Sequence, residues 1–187
     1  MKRIVVGISG ASGAIYGVRL LERLAKQDGV ETHLIVSRAG EKTLHQETGN
    51  LINDLRPLVA ELHGVDQIGA SIASGSFLTD GMVVAPCSIK TMSSIAAGIA
   101  SNLLVRAADV TLKERRRLIL MVRETPLHLG HLRTMTAVTE MGAIIAPPMP
   151  AFYTRPTSVD EIIDQSVGRL MDLLGVSDGS TERWQGI

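Results

Sequence analysis

Short β-branched runs alternate along this chain with segments of helical period, and that alternation narrows the fold more than any other feature. Arg3 to Ile8, His33 to Val36, Gly81 to Ala85, Leu118 to Val122 and Ala143 to Ala146 read as strands. Strands separated by helices pair in parallel, with the helices covering the sheet faces. After the first run, Ala14, Val18, Leu21 and Ala25 recur at helical spacing and are expected to face the sheet, while Arg19, Glu22, Arg23 and Lys26 point away. A last helix opens at Ser158, with Glu161 three residues on as a capping box, carries an apolar stripe of Ile163, Val167, Leu170 and Leu174, and stops at Gly175. The charged stretch from Leu112 to Arg117 reads as a solvated helix end. No repeat or Pro/Gly/Ser linker divides the chain. The expectation is an α/β fold: one doubly wound, mostly parallel, Rossmann-like sheet flanked by helices, spanning residues 1–187 with 176–187 as a tail.

Composition excludes several classes of function. Hydrophobic residues are 45% and charged residues 20% of the 187, the usage of an ordinary globular domain. Lys plus Arg equals Asp plus Glu at 19 each, so no net field draws in nucleic acid or an anionic membrane. Any anion must be held by local groups. The longest apolar runs are interrupted well short of the roughly 20 residues a membrane helix needs. The single cysteine and an N-terminal segment without a secretory pattern suit the cytoplasm.

Polar turns follow three of the strands. The first, GISGASGAIYG from Gly7 to Gly17, has glycines that let backbone approach a ligand, and it leads into a helix start whose free N–H groups favour an anion such as phosphate. Its spacing matches neither G-x-G-x-x-G nor a P-loop. Ser12 is either part of that site or a plain helix N-cap. Ser37 follows the second strand, and APCSIKT, from Ala85 to Thr91, follows a third. Together they set hydroxyls and a lysine on the edge where doubly wound sheets hold ligands, which points to a phosphorylated ligand.

Two other groups are better read as structural. Cys87 lies between Pro86 and Ser88 with no histidine near it in sequence, so it is expected to be a small buried apolar residue rather than a nucleophile. His128 and His131 are spaced i, i+3, but no third ligand accompanies them, and no metal requirement is expected.

Longer segments extend the pattern: SGSF at Ser74 to Phe77, PCSIKT at Pro86 to Thr91, RAADVTLKERR at Arg106 to Arg116, RETPLHLGHLR at Arg123 to Arg133 and PPMPAFYTRP at Pro147 to Pro156, with Arg169 and Trp184 beyond. Across nearly the whole chain these resemble the UbiX-type flavin prenyltransferases, whose older label is aromatic acid decarboxylase. The flavin-dependent cysteine decarboxylases share the fold and a PASANT-like turn. Their PxMNxxMW-type segment is replaced here by PPMPAFY, which favours the prenyltransferase branch. Ile89 stands where related members often carry Met, an apolar exchange that leaves the turn intact.

The resemblance implies transfer of a dimethylallyl group from dimethylallyl monophosphate to N5 and C6 of reduced FMN, yielding prenylated FMN for a UbiD-type decarboxylase. It implies that Gly10, Ala11, Ser12, Ser37, Ser88, Ile89, Lys90, Thr91 and Arg123 hold FMN. Tyr153, Arg169, Lys113 and Arg106 would hold the prenyl phosphate. Arg106 and Lys113, seven apart, share one helix face. Glu124 is the leading group for proton transfer, with Glu47, Ser12 and Lys113 as further catalytic candidates. An allylic cation needs a π-face, and with aromatic residues at only 3% the flavin must supply much of it, Trp184 being the leading protein addition. For Lys113 and Arg106 the competing role is a surface salt bridge, for Glu124 an ion pair with Arg123 or Arg133, for Glu47 a subunit contact, and for Trp184 surface packing. The family also implies a homo-oligomer with sites between subunits. Two other functions fit a flavin-binding chain: direct decarboxylation of aromatic acids, and noncatalytic carriage of flavin to a decarboxylase.

Overall fold

Six strands form one sheet in the order β3-β2-β1-β4-β5-β6, and every neighbouring pair is parallel. The computed structural model describes residues 1–186. Its elements are β1 (Lys2–Ile8), α1 (Ala14–Leu24), β2 (Val30–Val36), α2 (Arg38–Thr48), β3 (Glu61–His63), β4 (Gly81–Cys87), α3 (Ile89–Ala96), α4 (Leu103–Lys113), β5 (Arg117–Val122), α5 (Leu129–Glu140), β6 (Ile144–Ile145) and α6 (Val159–Leu174). The chain builds outward from β1 to β3, then returns and builds the other way from β4 to β6. That reversal leaves a crevice beyond the carboxyl ends of β1 and β4.

Both faces of the central strands are covered, so β4 is buried at every position. Ile4, Val6 and Ile8 pack with Leu21 of α1 and Val167 and Leu170 of α6 on one side. On the other, Val5 and Met82 pack with Leu104 and Ala108 of α4. No helix among the described residues is long and apolar enough to cross a membrane.

The doubly wound parallel reading holds, and several details of it are corrected. The sheet is wholly parallel, and it gains β3, a three-residue edge strand, ELH, too short and polar to show a period. In α1, Ala14, Val18 and Leu21 are buried as expected, but the helix ends at Leu24, Ala25 is exposed, and Arg23 is buried instead. The cause is tertiary. The tail beyond Gly175 folds back over α1, where Asp178 accepts from Arg23 Nε and Nη2 at 2.8 and 2.7 Å and the Asp164 carbonyl accepts from Nη1 at 2.7 Å. The basic stretch before β5 is only partly solvated. Arg116 donates to the carbonyls of Gly75 (2.6 Å) and Phe77 (2.9 Å), and Arg117 donates to the Leu173 carbonyl.

Candidate functional site

Two clefts open at the carboxyl edge, joined across the β1–α1 turn. The first, about 410 Å³, is lined by Gly10, Ser37, Arg38, Ser88, Lys90 and Thr91, with Val65, Asp66, Asn102 and neighbours closing it. Three helices begin there, α4 at Asn102 and two others capped by serines. Ser37 caps α2 by accepting from the Gly40 N–H at 3.0 Å, and Ser88 caps α3 by accepting from the Thr91 N–H at 3.3 Å. Each cap places a hydroxyl beside the positive end of a helix. Lys90 is exposed at the same mouth and forms no ion pair among the described residues. Gly10 is required by packing: a Cβ there would lie 2.4 Å from the Ala39 Cβ, so only glycine lets the first turn meet the start of α2. Ser9 Oγ stitches the two turns together, donating to the Pro86 carbonyl at 2.9 Å and accepting from the Ser88 N–H at 2.7 Å.

The second cleft, about 580 Å³, is lined by Ser12, Gly13, Tyr16, Val122, Arg123, Glu124, Thr125, Leu127 and Pro147 to Met149. Here the structure revises the reading of the first turn. The N-cap of α1 is Gly13, at φ 102°, and no side chain within the turn caps it. Glu47 does so from α2: its Oε2 accepts from the N–H groups of Gly13 (2.8 Å) and Ala14 (2.9 Å). Ser12 is therefore not the cap, and a carboxylate already occupies the helix end expected to face phosphate. Burial pushes the Glu47 carboxyl up, but hydrogen bonds from Ser12, Ala14 and Gly13, with Arg123 nearby, outweigh it and hold the group below its ordinary value. Tyr16 is shifted upward by burial, and Arg123 partly opposes that shift. Arg123 itself forms no side-chain hydrogen bond or ion pair among the described residues, and Glu124 accepts only the Thr125 N–H, at 3.0 Å. The expected competing ion pair of Glu124 with Arg123 or Arg133 does not form.

The candidates for a second phosphate do not reach these clefts within one chain. Arg106 binds Asp109 (2.7 Å) and the Ala73 carbonyl (3.2 Å). Lys113 ends α4 at the opposite edge of the sheet, paired with Glu114 beside Gly75. Arg169 is exposed on α6 and paired with Asp172 at 2.9 Å. Tyr153 and Trp184 meet edge to face, 5.6 Å between ring centres, and both are exposed. The shared helix face of Arg106 and Lys113 is real, but it lies along the sheet rather than at its carboxyl edge.

The flavoprotein family model matches residues 1–174. The flavin prenyltransferase UbiX of Thauera aromatica is 56% identical over 98% of this chain and 94% of its own length. The chain belongs to the flavin prenyltransferase family. Its fold matches a solved UbiX, PadA1, in complex with FMN and dimethylallyl pyrophosphate, at a TM-score of 0.95 and 47% identity over 100% of this chain and 98% of that one. It also matches a dodecameric FMN-dependent UbiX-like decarboxylase from Escherichia coli O157:H7, at a TM-score of 0.96 and 46% identity over 98% of this chain and 100% of the other.

Within this family member, Cys87 is fully buried and burial pushes its thiol up to about 12, which suits the packing role and not a nucleophile. His128 caps α5 by accepting from the Gly130 and His131 N–H groups. Among the cleft residues that sequence reasoning missed are Arg38, Asp66, Tyr16 and Thr125. Arg38 follows Ser37 directly and Thr125 follows Glu124, so both had a neighbour to mark them. Asp66 had none. It reaches the first cleft through the loop after β3, where it pairs with Arg38 at 2.6 Å.

Proposed function

We infer that this protein is a flavin prenyltransferase, joining a dimethylallyl group to N5 and C6 of reduced FMN with loss of phosphate. The observation that carries the reading is the pairing of two clefts on one edge, one lined by serine hydroxyls, Lys90 and helix starts and the other holding an unpaired arginine beside a carboxylate. The donor set fits FMN. Ser37, Ser88, Lys90 and Thr91 offer hydroxyls, a cation and two helix starts to its phosphate, and Gly10, Ala11 and Ile89 supply the close backbone around them. When bound, reduced FMN supplies the nucleophilic N5 and C6.

The chain's own residues do the rest. Arg123, with no internal partner, is available to an anionic group in the second cleft. Glu124 takes or returns a proton at its carboxylate. Glu47 accepts from Ser12 and from the α1 start, which fixes the hydroxyl at the cleft rim and repels phosphate from that helix end. The prenyl donor is dimethylallyl monophosphate, held by Tyr153, Arg169, Lys113 and Arg106, with Trp184 offering a π-face to the allylic cation.

Because those residues lie away from the clefts of their own chain, a homo-oligomer must bring them from neighbouring copies. The surface around the second cleft supports this: α5 buries only Val138, and Leu127, Leu129, Leu132, Met149 and Phe152 are exposed. In this reading residues 1–187 are one flavoprotein domain with 176–187 as its tail. The enzyme works without a metal in the cytoplasm and passes prenylated FMN to a UbiD-type decarboxylase.

Anaerobic incubation with reduced FMN and dimethylallyl monophosphate should release phosphate and yield a flavin heavier by one prenyl group in mass spectrometry. No product from folded, FMN-loaded protein would sink the reading. Release of CO₂ from a hydroxybenzoate by this chain alone would favour decarboxylation instead. Flavin binding with no product and no effect of Glu124→Gln would favour a carrier.

A further inference from the structure

Among the described residues, one group of three potential metal ligands comes together: His33 on β2 with Glu61 and His63 on β3, their ligand atoms all within 4.8 Å of one another. It lies within the β2–β3 pairing, and none of its residues lines either cleft. Both histidines are buried at 2% exposure, whereas Glu61 is about half exposed and opens the group to solvent.

The hydrogen bonds assign the protons. Glu31 accepts from Arg3 Nε at 2.8 Å and Nη2 at 3.1 Å in a two-point ion pair, so its carboxylate is an acceptor towards His33. His33 Nε2 lies 2.8 Å from Glu31 Oε1 and must therefore carry the hydrogen. That leaves His33 Nδ1 with a lone pair, directed at His63 Nε2 at 2.9 Å. Glu61 Oε2 is 3.6 Å from the same His33 Nδ1, and Glu61 Oε1 is 3.6 Å from His63 Nδ1. A carboxylate that fixes one ring nitrogen of a histidine while the other faces a ligand cluster is the usual support of a metal-binding imidazole. The 2.9 and 3.6 Å spacings bracket the about 3.3 Å that separates ligands on a tetrahedral zinc with bonds near 2.0 Å.

We propose that His33 Nδ1, His63 Nε2 and Glu61 Oε2 form a binding site for a divalent transition metal of the zinc type, pinning the edge strand β3 to β2. The balance is simple. The hydrogen that His63 Nε2 donates in the metal-free pair moves to His63 Nδ1, where Glu61 Oε1 accepts it, and solvent completes the coordination at the exposed side. The loop after β3 contributes Val65 and Asp66 to the first cleft, so the metal would steady one wall of that cleft without touching the reacting groups.

The test is titration of the full-length, FMN-loaded protein with Zn²⁺ against a chromogenic chelator, repeated with Co²⁺ to read coordination from its visible absorption. One equivalent per chain is expected, with a tetrahedral Co²⁺ spectrum and a Tm that rises with Zn²⁺ concentration. His63→Phe should abolish that equivalent, and Glu31→Gln should weaken it about 10-fold. Should His63→Phe fail to fold, Glu61→Gln decides, since this half-exposed side chain can change without disturbing the core. Its affinity for Zn²⁺ should fall at least 10-fold. No stoichiometric binding by the unaltered protein, or binding undiminished in Glu61→Gln, would overturn the site. Prenyl transfer should be unchanged by chelation, so the outcome does not depend on the flavin reading.

Discussion

The two edges of the sheet treat their cations differently. At the amino edge, Lys2 donates to the Gly175 carbonyl, Arg3 to the Leu78 carbonyl and Glu31, Arg116 to Gly75 and Phe77, and Arg117 to Leu173. These charges close loops and the end of α6, and their donors are used within the chain. At the carboxyl edge Lys90 and Arg123 have no such partners among the described residues, and serine hydroxyls stand beside two helix starts. The contrast separates structural cations from cations left for a ligand. Arg115, exposed and unpaired among the described residues, and Lys113 stand outside that contrast; Lys113 sits on the amino edge, about 20 Å from the clefts judging by the length of β4. It is paired only with its sequence neighbour Glu114, an exposed contact of little worth.

The largest effect should come from Glu124→Gln. Turnover of reduced FMN is expected to drop by about 10²–10⁴-fold, the range for loss of a positioned acid or base, with flavin content by absorbance unchanged. Lys113→Ala tests the contrast most directly. If a neighbouring copy carries this lysine into the second cleft, KM for the prenyl phosphate should rise roughly 10–100-fold with no shift in Tm. Unchanged kinetics would return Lys113 to the structural class and remove it from the site.

A smaller change is expected for Ser88→Ala. It removes a cap and a phosphate donor together, costing about 1 kcal/mol of stability in denaturant melts and weakening FMN binding several-fold in a fluorescence titration. The smallest concerns Glu31 at the amino edge. Its carboxyl is depressed in the folded chain from an ordinary 4.5 to about 2, so the stabilisation from Arg3 and His33 is present above pH 4.5 and is lost as pH falls toward 2. Glu31→Gln should flatten the fall in Tm over that window and leave neutral-pH activity unaltered.

Much of this was legible before any tertiary contact was known. The four long strands, the short β6, the first and last helices and the hydroxyls after β1, β2 and β4 follow from local period and turn chemistry, which act over a few residues. The edge strand β3 was not legible because its residues, ELH, lack the β-branched apolar run that marks the equally short β6. Asp66 in the first cleft was invisible for a related reason, since only the return of the chain after β3 brings it to Arg38.

Local chemistry therefore established an α/β chain with polar turns able to hold phosphate, and the long motif matches pointed to its family. Which of those polar groups is free to bind was decided in three dimensions. Glu47, 34 residues from Gly13, takes the helix end that the glycine turn offers. The tail buries an arginine that helical period turns outward, and β3 sets His63 against His33 across 30 residues of chain. Hydrogen-bond donors and acceptors are finite, and a partner distant in sequence can use them up or aim them without leaving any local trace.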